Sequence, residues 1–179
     1  MKFAVNTEKA VEALAFIASE RPRLSQKFFA KIFFYAEKWH LNDYGRPIIA
    51  DTYIAMKQGP VPSAVRDIIL EKWNWTEKPD NFDTSIEIID DHGLLKVAAK
   101  GGASFDRLSN TDKAMLRKAI AFCADMTADE LSTVSHQDRA WYETDRDKPI
   151  DVEKMIDDEN PERESIMEYA LETSISGVI

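Results

Sequence analysis

The segment FYAEKWHLNDYGRPIIADTYIAMKQGPVPS, residues 34–63, decides how this chain folds. It continues an aromatic run that begins at Phe28, and so broad an apolar surface predicts a central helix that is covered on several sides. Residues 42–47 have the composition of a turn. Residues 48–58 predict a short hairpin or an extended, irregular segment. Residues 59–62 cannot lie inside a helix, because their two prolines fix φ and remove amide donors.

Apolar residues at helical spacing predict further helices on both sides of this segment. Residues 7–19 form the first of them, and the hydroxyl of Ser25 is expected to cap the central helix. Ser63 is expected to cap the next helix, which uses Val65, Ile68, Ile69 and Trp73. Later starts are marked by Ser109 with Asp112, by Thr127 with Glu130 and by Asn160 with Pro161. Another short helical segment holds Val152, Met155 and Ile156.

A second hairpin is predicted between residues 86 and 97. Isoleucines alternate with a charged residue before the turn, and Leu95 and Val97 do so after it. Gly93 suits the positive φ that such a turn requires. Together these elements predict a mainly helical α+β fold: one compact domain of six or seven helices with one or two small antiparallel β-hairpins.

Composition limits the functions open to the chain. It has 179 residues and a formal net charge of −9, with 23 basic residues against 32 acidic ones. This balance argues against a non-specific nucleic-acid binder, which would rely on Lys and Arg clusters. Cys123 is the only cysteine, the first residues lack the apolar core of a secretion signal, and no apolar run is long enough for a membrane span. We therefore expect a cytoplasmic protein that does not insert into a membrane.

Motifs of known catalytic or metal chemistry are missing from the sequence. The histidines His40, His92 and His136 stand in no zinc-binding pattern. His40 is interpreted as a structural histidine, and Cys123 as a buried thiol on an apolar helix face. His136 and Trp141 are expected to fasten a loop onto the body of the protein. The sequence thus predicts no enzyme, no cofactor and no metal.

The opening segment resembles the signature of the Panacea domain, the SocA-like family of phage-associated antitoxins. The shared elements are Tyr35-Ala36, Trp39-His40, Gly45-Arg46-Pro47, residues 53–56 and residues 59–63. Later pieces that fit are Leu108-Ser109, Asp112, residues 131–136 and Ala140-Trp141. The resemblance extends over residues 7–150. We therefore take residues 1–150 as the Panacea domain, and residues 151–179 as an acidic helical extension packed on it.

The resemblance implies an antitoxin that neutralises a cognate protein toxin, encoded by an adjacent gene, through direct binding. Two alternatives stay open within this class: an adaptor that delivers the toxin to a cytosolic protease, and a regulatory protein of phage or host. The adaptor would need a second interface, such as the acidic extension or the last three residues. An enzyme with an unrecognised site is a further alternative, although only three histidines and some carboxylates favour it.

Candidate partner contacts are chosen around the signature, because Tyr and Arg are frequent at binding hot spots and a rigid corner loses little entropy on binding. The prolines of residues 59–62 are equally compatible with a purely structural corner between a strand and the next helix. An acidic surface in residues 151–172, with nine acidic and two basic residues, is expected to meet a basic toxin. The candidate residues are Tyr44, Arg46, Tyr53, Met56, Lys57, Pro60, Pro62, Trp75, Glu162 and Glu164.

Overall fold

The structure, a computed structural model, describes residues 4–73 and 77–176. These residues form eight α-helices, one 3-10 helix and four strands. The helices are α1 (Thr7–Glu20), α2 (Gln26–Tyr44), α3 (Ser63–Ile69), α4 (Phe82–Ser85), α5 (Asn110–Cys123), α6 (Ala128–His136), α7 (Arg139–Tyr142) and α8 (Arg163–Ser176), with the 3-10 helix at Val152–Met155. The strands are β1 (Tyr53–Met56), β2 (Gly59–Pro62), β3 (Ile86–Asp91) and β4 (Leu94–Ala99).

The predicted fold class is confirmed, since the molecule is a compact, mainly helical α+β structure. The count of six or seven helices was too low because α4 and α7 are single turns of four residues each. Segments this short carry too few residues for a helical period to be recognised.

α2 is the central helix, as its aromatic run predicted. Phe29, Phe33 and Phe34 are fully buried on it. α5 lies against one side of α2 and adds Leu116 and Cys123 to the core. A helix that is apolar on so many sides must be covered by several neighbours, and α2 contacts helices and strands from both halves of the chain.

Two of the predicted helix starts have the expected capping boxes. The hydroxyl of Ser109 accepts from the amide of Asp112, and that of Thr127 accepts from the amide of Glu130. Ser25 does precede α2, as predicted. The prediction that its hydroxyl caps the helix is wrong, because its side chain forms no capping hydrogen bond. The helix expected from residue 63 to Trp73 is shorter than predicted, and α3 ends at Ile69.

The first hairpin pairs β1 with β2 in antiparallel register, with Tyr53 opposite Pro62 and Ala55 opposite Pro60. The two prolines are therefore part of a strand, which corrects the prediction that they form a corner after the strand. The other edge of β1 bonds to residues 147–150: the amide of Ala55 donates to Lys148, and the amide of residue 150 donates to Tyr53. This long-range pairing stabilises a hairpin of only four-residue strands.

The second hairpin pairs β3 with β4 and confirms the prediction from its alternating pattern. His92 and Gly93 form the turn, with φ values of 54° and 83°. Ile86 and Val97 are fully buried, and β4 packs against α1.

The acidic C-terminal extension lies against the end of α2. The side-chain amide of Asn42 donates to the carbonyl of Met155 at 2.8 Å, and its oxygen accepts from the amide of Asp157 at 2.8 Å. The segment predicted around Val152 is the 3-10 helix, and α8 begins at Arg163, two residues after the predicted start. The domain boundary at residue 150 stays a prediction.

Candidate functional site

Glu37, near the middle of α2, organises the backbone that leads into the first hairpin. Its Oε2 accepts from the amide of Ile48 at 2.6 Å, and its Oε1 accepts from the amides of Ile49 and Ala50 at 2.9 and 3.1 Å. Burial raises the pKa of Glu37 to about 7, although the amide hydrogen bonds oppose that rise. Through these bonds the turn at Ala50, with φ of 63°, is tied to the central helix.

Asp51 holds the N-terminus of α3. Its Oδ1 accepts from the amide of Ala64 at 2.9 Å and from the hydroxyl of Ser63 at 3.1 Å, and its Oδ2 accepts from the amide of Val65 at 2.9 Å. The capping role predicted for Ser63 is therefore performed by Asp51, because a carboxylate satisfies two free amides at once and complements the helix dipole. Burial raises the pKa of Asp51 against the effect of these bonds.

His40 belongs to a buried polar cluster that joins α1, α2 and α5. Its Nδ1 donates to the carbonyl of Arg46 at 2.7 Å, and its Nε2 lies 3.1 Å from Oδ1 of Asp112. Lys9 Nζ lies 2.9 Å from Oδ2 of the same carboxylate. Burial would raise the pKa of Asp112, but the hydrogen bonds from His40 and Lys9 outweigh it and hold that pKa well below its usual range. These contacts agree with the structural role predicted for His40.

Lys31, on α2, holds the turn of the first hairpin in place. Its buried ammonium donates to the carbonyl of Gln58 at 2.5 Å, and burial lowers its pKa to about 8. Gly59 lies directly above with φ of 102°, and a Cβ there would collide with Lys31 Nζ and Ser135 Oγ. The backbone conformation therefore requires glycine at this position, and a Cβ would also displace the ends of the Lys31 and Ser135 side chains.

The short helix α7 holds the hairpin from the side. The indole Nε1 of Trp141 donates to the carbonyl of Met56 at 2.9 Å, and its ring stacks on His136 with centroids 3.8 Å apart. The predicted fastening by this pair is confirmed, but the fastened segment is the helical turn α7 and the end of α6, where a loop was predicted.

A surface groove runs beside this hairpin, between the start of α2 and the length of α3. We call it the partner groove. It encloses about 190 Å³. It is lined by Gln26, Lys27, Ala30, Met56, Gln58, Val61, Pro62, Val65, Arg66 and Ile69. A smaller cavity of about 50 Å³ shares four of these residues and extends past Lys31 to Ala128 and Asp129.

The rim of the partner groove carries cations. Lys27 and Arg66 line it, and Lys57 stands exposed at the hairpin turn beside it. Within the described part of the chain, Lys27 and Lys57 form no ion pair, and Arg66 has only its neighbour Asp67, 3.5 Å from Nη1. A chain with a net charge of −9 thus presents a locally basic, partly apolar surface.

The predicted contact residues of the hairpin fall into two groups. Met56 is half-buried and lines the groove, and Lys57 is exposed. Tyr53 is only 3 % exposed and packs edge-on against the core ring of Phe34, while the two prolines are buried in β2. Pro62 forms part of the groove wall. The buried members support this surface from beneath, and partner contacts through them stay predictions.

The other predicted residues do not line the partner groove. Tyr44 is 45 % exposed at the end of α2, and Arg46 directs its Nη1 to within 3.2 Å of the Asp112 carboxylate. Glu162 and Glu164 are exposed at the start of α8. Trp75 lies outside the described residues. Their roles as contacts stay predictions.

Sequence reasoning missed the contributions of α2 and α3 to the groove. Lys27 and Ala30 lie one turn apart on α2, and Val65 and Ile69 lie one turn apart on α3. Both apolar residues of α3 were assigned to the core, and they are indeed 1–2 % exposed, but they also form the groove floor. The polar residues Gln26 and Lys27, which precede the aromatic run of α2, were the available signal.

Among residues 4–73 and 77–176, no group of three or more His, Cys, Asp and Glu side chains could hold a metal ion. No helix in this part of the chain has the length and apolar character needed to cross a membrane.

Comparison with known proteins places these features in a family. The family model for antitoxin SocA-like proteins with a Panacea domain matches residues 29–142. This range contains β1, β2 and α3, and all but the first turn of α2. No curated protein and no solved structure gave a significant match. Because the match extends over more than half of the sequence, the chain belongs to the antitoxin SocA-like Panacea domain family.

Proposed function

We propose that the protein is a cytoplasmic antitoxin that neutralises a cognate protein toxin by binding it directly. The observation that carries this proposal is its membership of the antitoxin SocA-like family. The matched residues contain the first hairpin and α3, which form most of the wall of the partner groove. A binding role is consistent with a surface that combines apolar and basic side chains on a firmly held backbone.

The rigidity of the first hairpin supports a binding function. Its main chain receives hydrogen bonds from Lys31 and Trp141, and the approach to it is held by Glu37. A surface that is already ordered loses less conformational entropy when a partner binds. The toxin would therefore meet a preformed contact area.

The acidic extension is a second candidate contact surface for the same toxin. Glu162, Glu164 and Glu168 are exposed, and residues 151–172 carry a net charge of −7. A basic toxin would associate faster with such a surface, because complementary charge steers the encounter. Reversal of the three glutamates to Lys is expected to slow association and to flatten its salt dependence, whereas unchanged kinetics would rule out this contact.

The direct test is co-expression with the product of the neighbouring gene. If that product arrests growth alone, and growth resumes with a stable stoichiometric complex when this protein is added, the antitoxin function is established. A harmless neighbour that forms no complex would contradict the proposal. Growth rescue that depends on a cytosolic protease and on loss of the toxin would instead establish the adaptor alternative.

A further inference from the structure

We propose that the partner groove receives an amphipathic helical segment of the toxin, with an apolar side chain on the groove floor and carboxylates at the cationic rim. The inference rests on the proposed function and specifies which part of the surface binds and which chemistry it recognises.

The floor of the groove is apolar. Ala30, Val61 and Val65 line it from three different elements, and each has an aliphatic side chain. The space of about 190 Å³ is open to solvent on one side and large enough for an apolar side chain to enter. Burying such a side chain removes apolar area from water, which is the main favourable contribution to association.

The adjacent strand edge is unsuited to binding an extended peptide. Tyr53 and Ala55 direct their backbone groups away from β2 and toward residues 147–150. Pro62 and Pro60 lie opposite these two residues. In an antiparallel pair, residues opposite each other direct their backbone groups alike, so the carbonyls of both prolines point away from β1. Prolines have no N–H, so this outer edge offers acceptors only and cannot complete a ladder with an added strand. A partner must therefore enter through its side chains, as a helix laid in a groove does.

The positive charge of the rim indicates that the bound segment is negatively charged. Lys27 and Lys57 have no ion pair within the described residues, and Arg66 has only a weak contact with its neighbour Asp67. Asp or Glu residues flanking the apolar anchor would neutralise these cations, whereas Lys or Arg would be repelled. The smaller cavity continues the groove past Lys31 toward Asp129, which gives the site an elongated shape.

A nucleic acid fits the groove less well than a protein segment. The lining residues include no aromatic side chain on which a base could stack. The aliphatic floor offers nothing to a phosphate backbone, and the whole chain carries a net charge of −9. The cations therefore border an apolar site instead of forming a continuous phosphate-binding track.

The test uses the complex with the toxin obtained by co-expression. Val61→Glu, which places a charge in the groove, is expected to raise the dissociation constant of the complex about 30-fold or more. The double variant Lys27→Glu and Arg66→Glu is expected to slow association and to reduce its dependence on salt. Ile89→Glu, at an exposed apolar position of β3, and Lys113→Glu on α5 are the matched controls, and both should bind like the wild type.

The outcomes separate this inference from the proposed function. If the wild type binds the toxin and a toxin variant with an Asp or Glu changed to Lys restores binding to Lys27→Glu, the inference is supported. If the wild type binds and the groove variants, shown to be folded by their thermal unfolding, bind equally well, the inference is overturned while the antitoxin function stands. Displacement of the toxin by poly(dT) from this surface would also overturn it. Failure of the wild type to bind any toxin overturns the proposed function, and the inference with it.

Discussion

Replacement of Glu37 by Gln tests whether a single buried carboxylate holds the first hairpin in place. Glu37 is 2 % exposed and accepts hydrogen bonds from three successive amides. Gln has nearly the same shape, so the substitution leaves no cavity. The Gln oxygen can still accept from Ile49 and Ala50, but its NH₂ group would then face the N–H of Ile48.

The expected loss follows from that one mismatch. A buried donor left without an acceptor costs about 1–3 kcal/mol, so Glu37→Gln should lower the free energy of unfolding by about 2 kcal/mol. Glu37→Ala removes all three acceptor interactions and leaves a cavity, which together should cost at least about 4 kcal/mol. Since small domains are stable by about 5–15 kcal/mol in total, Gln is the safer substitution to measure.

The effect of Glu37→Gln should also depend on pH. Burial raises the pKa of Glu37 from 4.5 to about 7, so between these values the folded protein binds a proton more tightly than the unfolded chain does. This contribution to stability is complete below pH 4.5 and is lost as the pH rises through 7. Gln does not titrate, and the difference between the two proteins should therefore be larger at pH 5 than at pH 8.

Urea unfolding followed by circular dichroism measures this difference. Glu87→Gln, an exposed position in β3, is the control and should unfold within about 0.5 kcal/mol of the wild type. If Glu37→Gln at pH 8, where Glu37 is ionised, is no less stable than this control, the carboxylate does not anchor the backbone of residues 48–50, and the structural reasoning fails.

Three other substitutions test the supports of the hairpin and of α3. Asp51→Ala should lower the free energy of unfolding by about 2 kcal/mol, measured in urea, because the first amides of α3 lose their cap. Gly59→Ala should cost at least about 1 kcal/mol and lower Tm, since Ala is strained at this positive φ and its Cβ would displace Lys31 and Ser135. Lys31→Met should abolish a gain in stability between pH 8 and 9.5, because the folded pKa of Lys31 is about 8 against 10.5 unfolded, so that the unfolded chain binds more protons there. A wild type whose stability changes with pH as the variant's does would contradict the last prediction.

Local signals in the sequence were sufficient for most of the helices. The capping boxes at Ser109 and Thr127 join residues only three positions apart, so the pattern and the structure agree. The cap of α3 could not be predicted in the same way. Asp51 and the amide of Ala64 are separated by 13 residues, and only the folded hairpin brings them together.

The two prolines of β2 illustrate the same limit. Proline usually argues against a strand, and the sequence alone favoured a corner. The strand is possible because both residues place the missing N–H on an outer edge, while the other edge of the hairpin is completed by residues 147–150. That pairing joins segments about ninety positions apart, which no local pattern could reveal.

The contact surface was predicted only in part, for a related reason. Alternation along β1 buries Tyr53 and Ala55 and leaves Ile54 and Met56 half-buried. Strand alternation alone would therefore have kept Met56 as a contact candidate and rejected Tyr53. The remaining walls of the groove come from α2 and α3. Their position beside the hairpin is a tertiary feature that no local pattern of residues predicts.

The supports of the first hairpin act almost entirely on its main chain. Lys31 and Trp141 bond to the carbonyls of Gln58 and Met56, and Glu37 bonds to the amides of the preceding turn. The side chains of Met56 and Gln58 are therefore free to line the groove while their carbonyls hold the fold. Such a division allows the side chains that face a partner to change without loss of the frame.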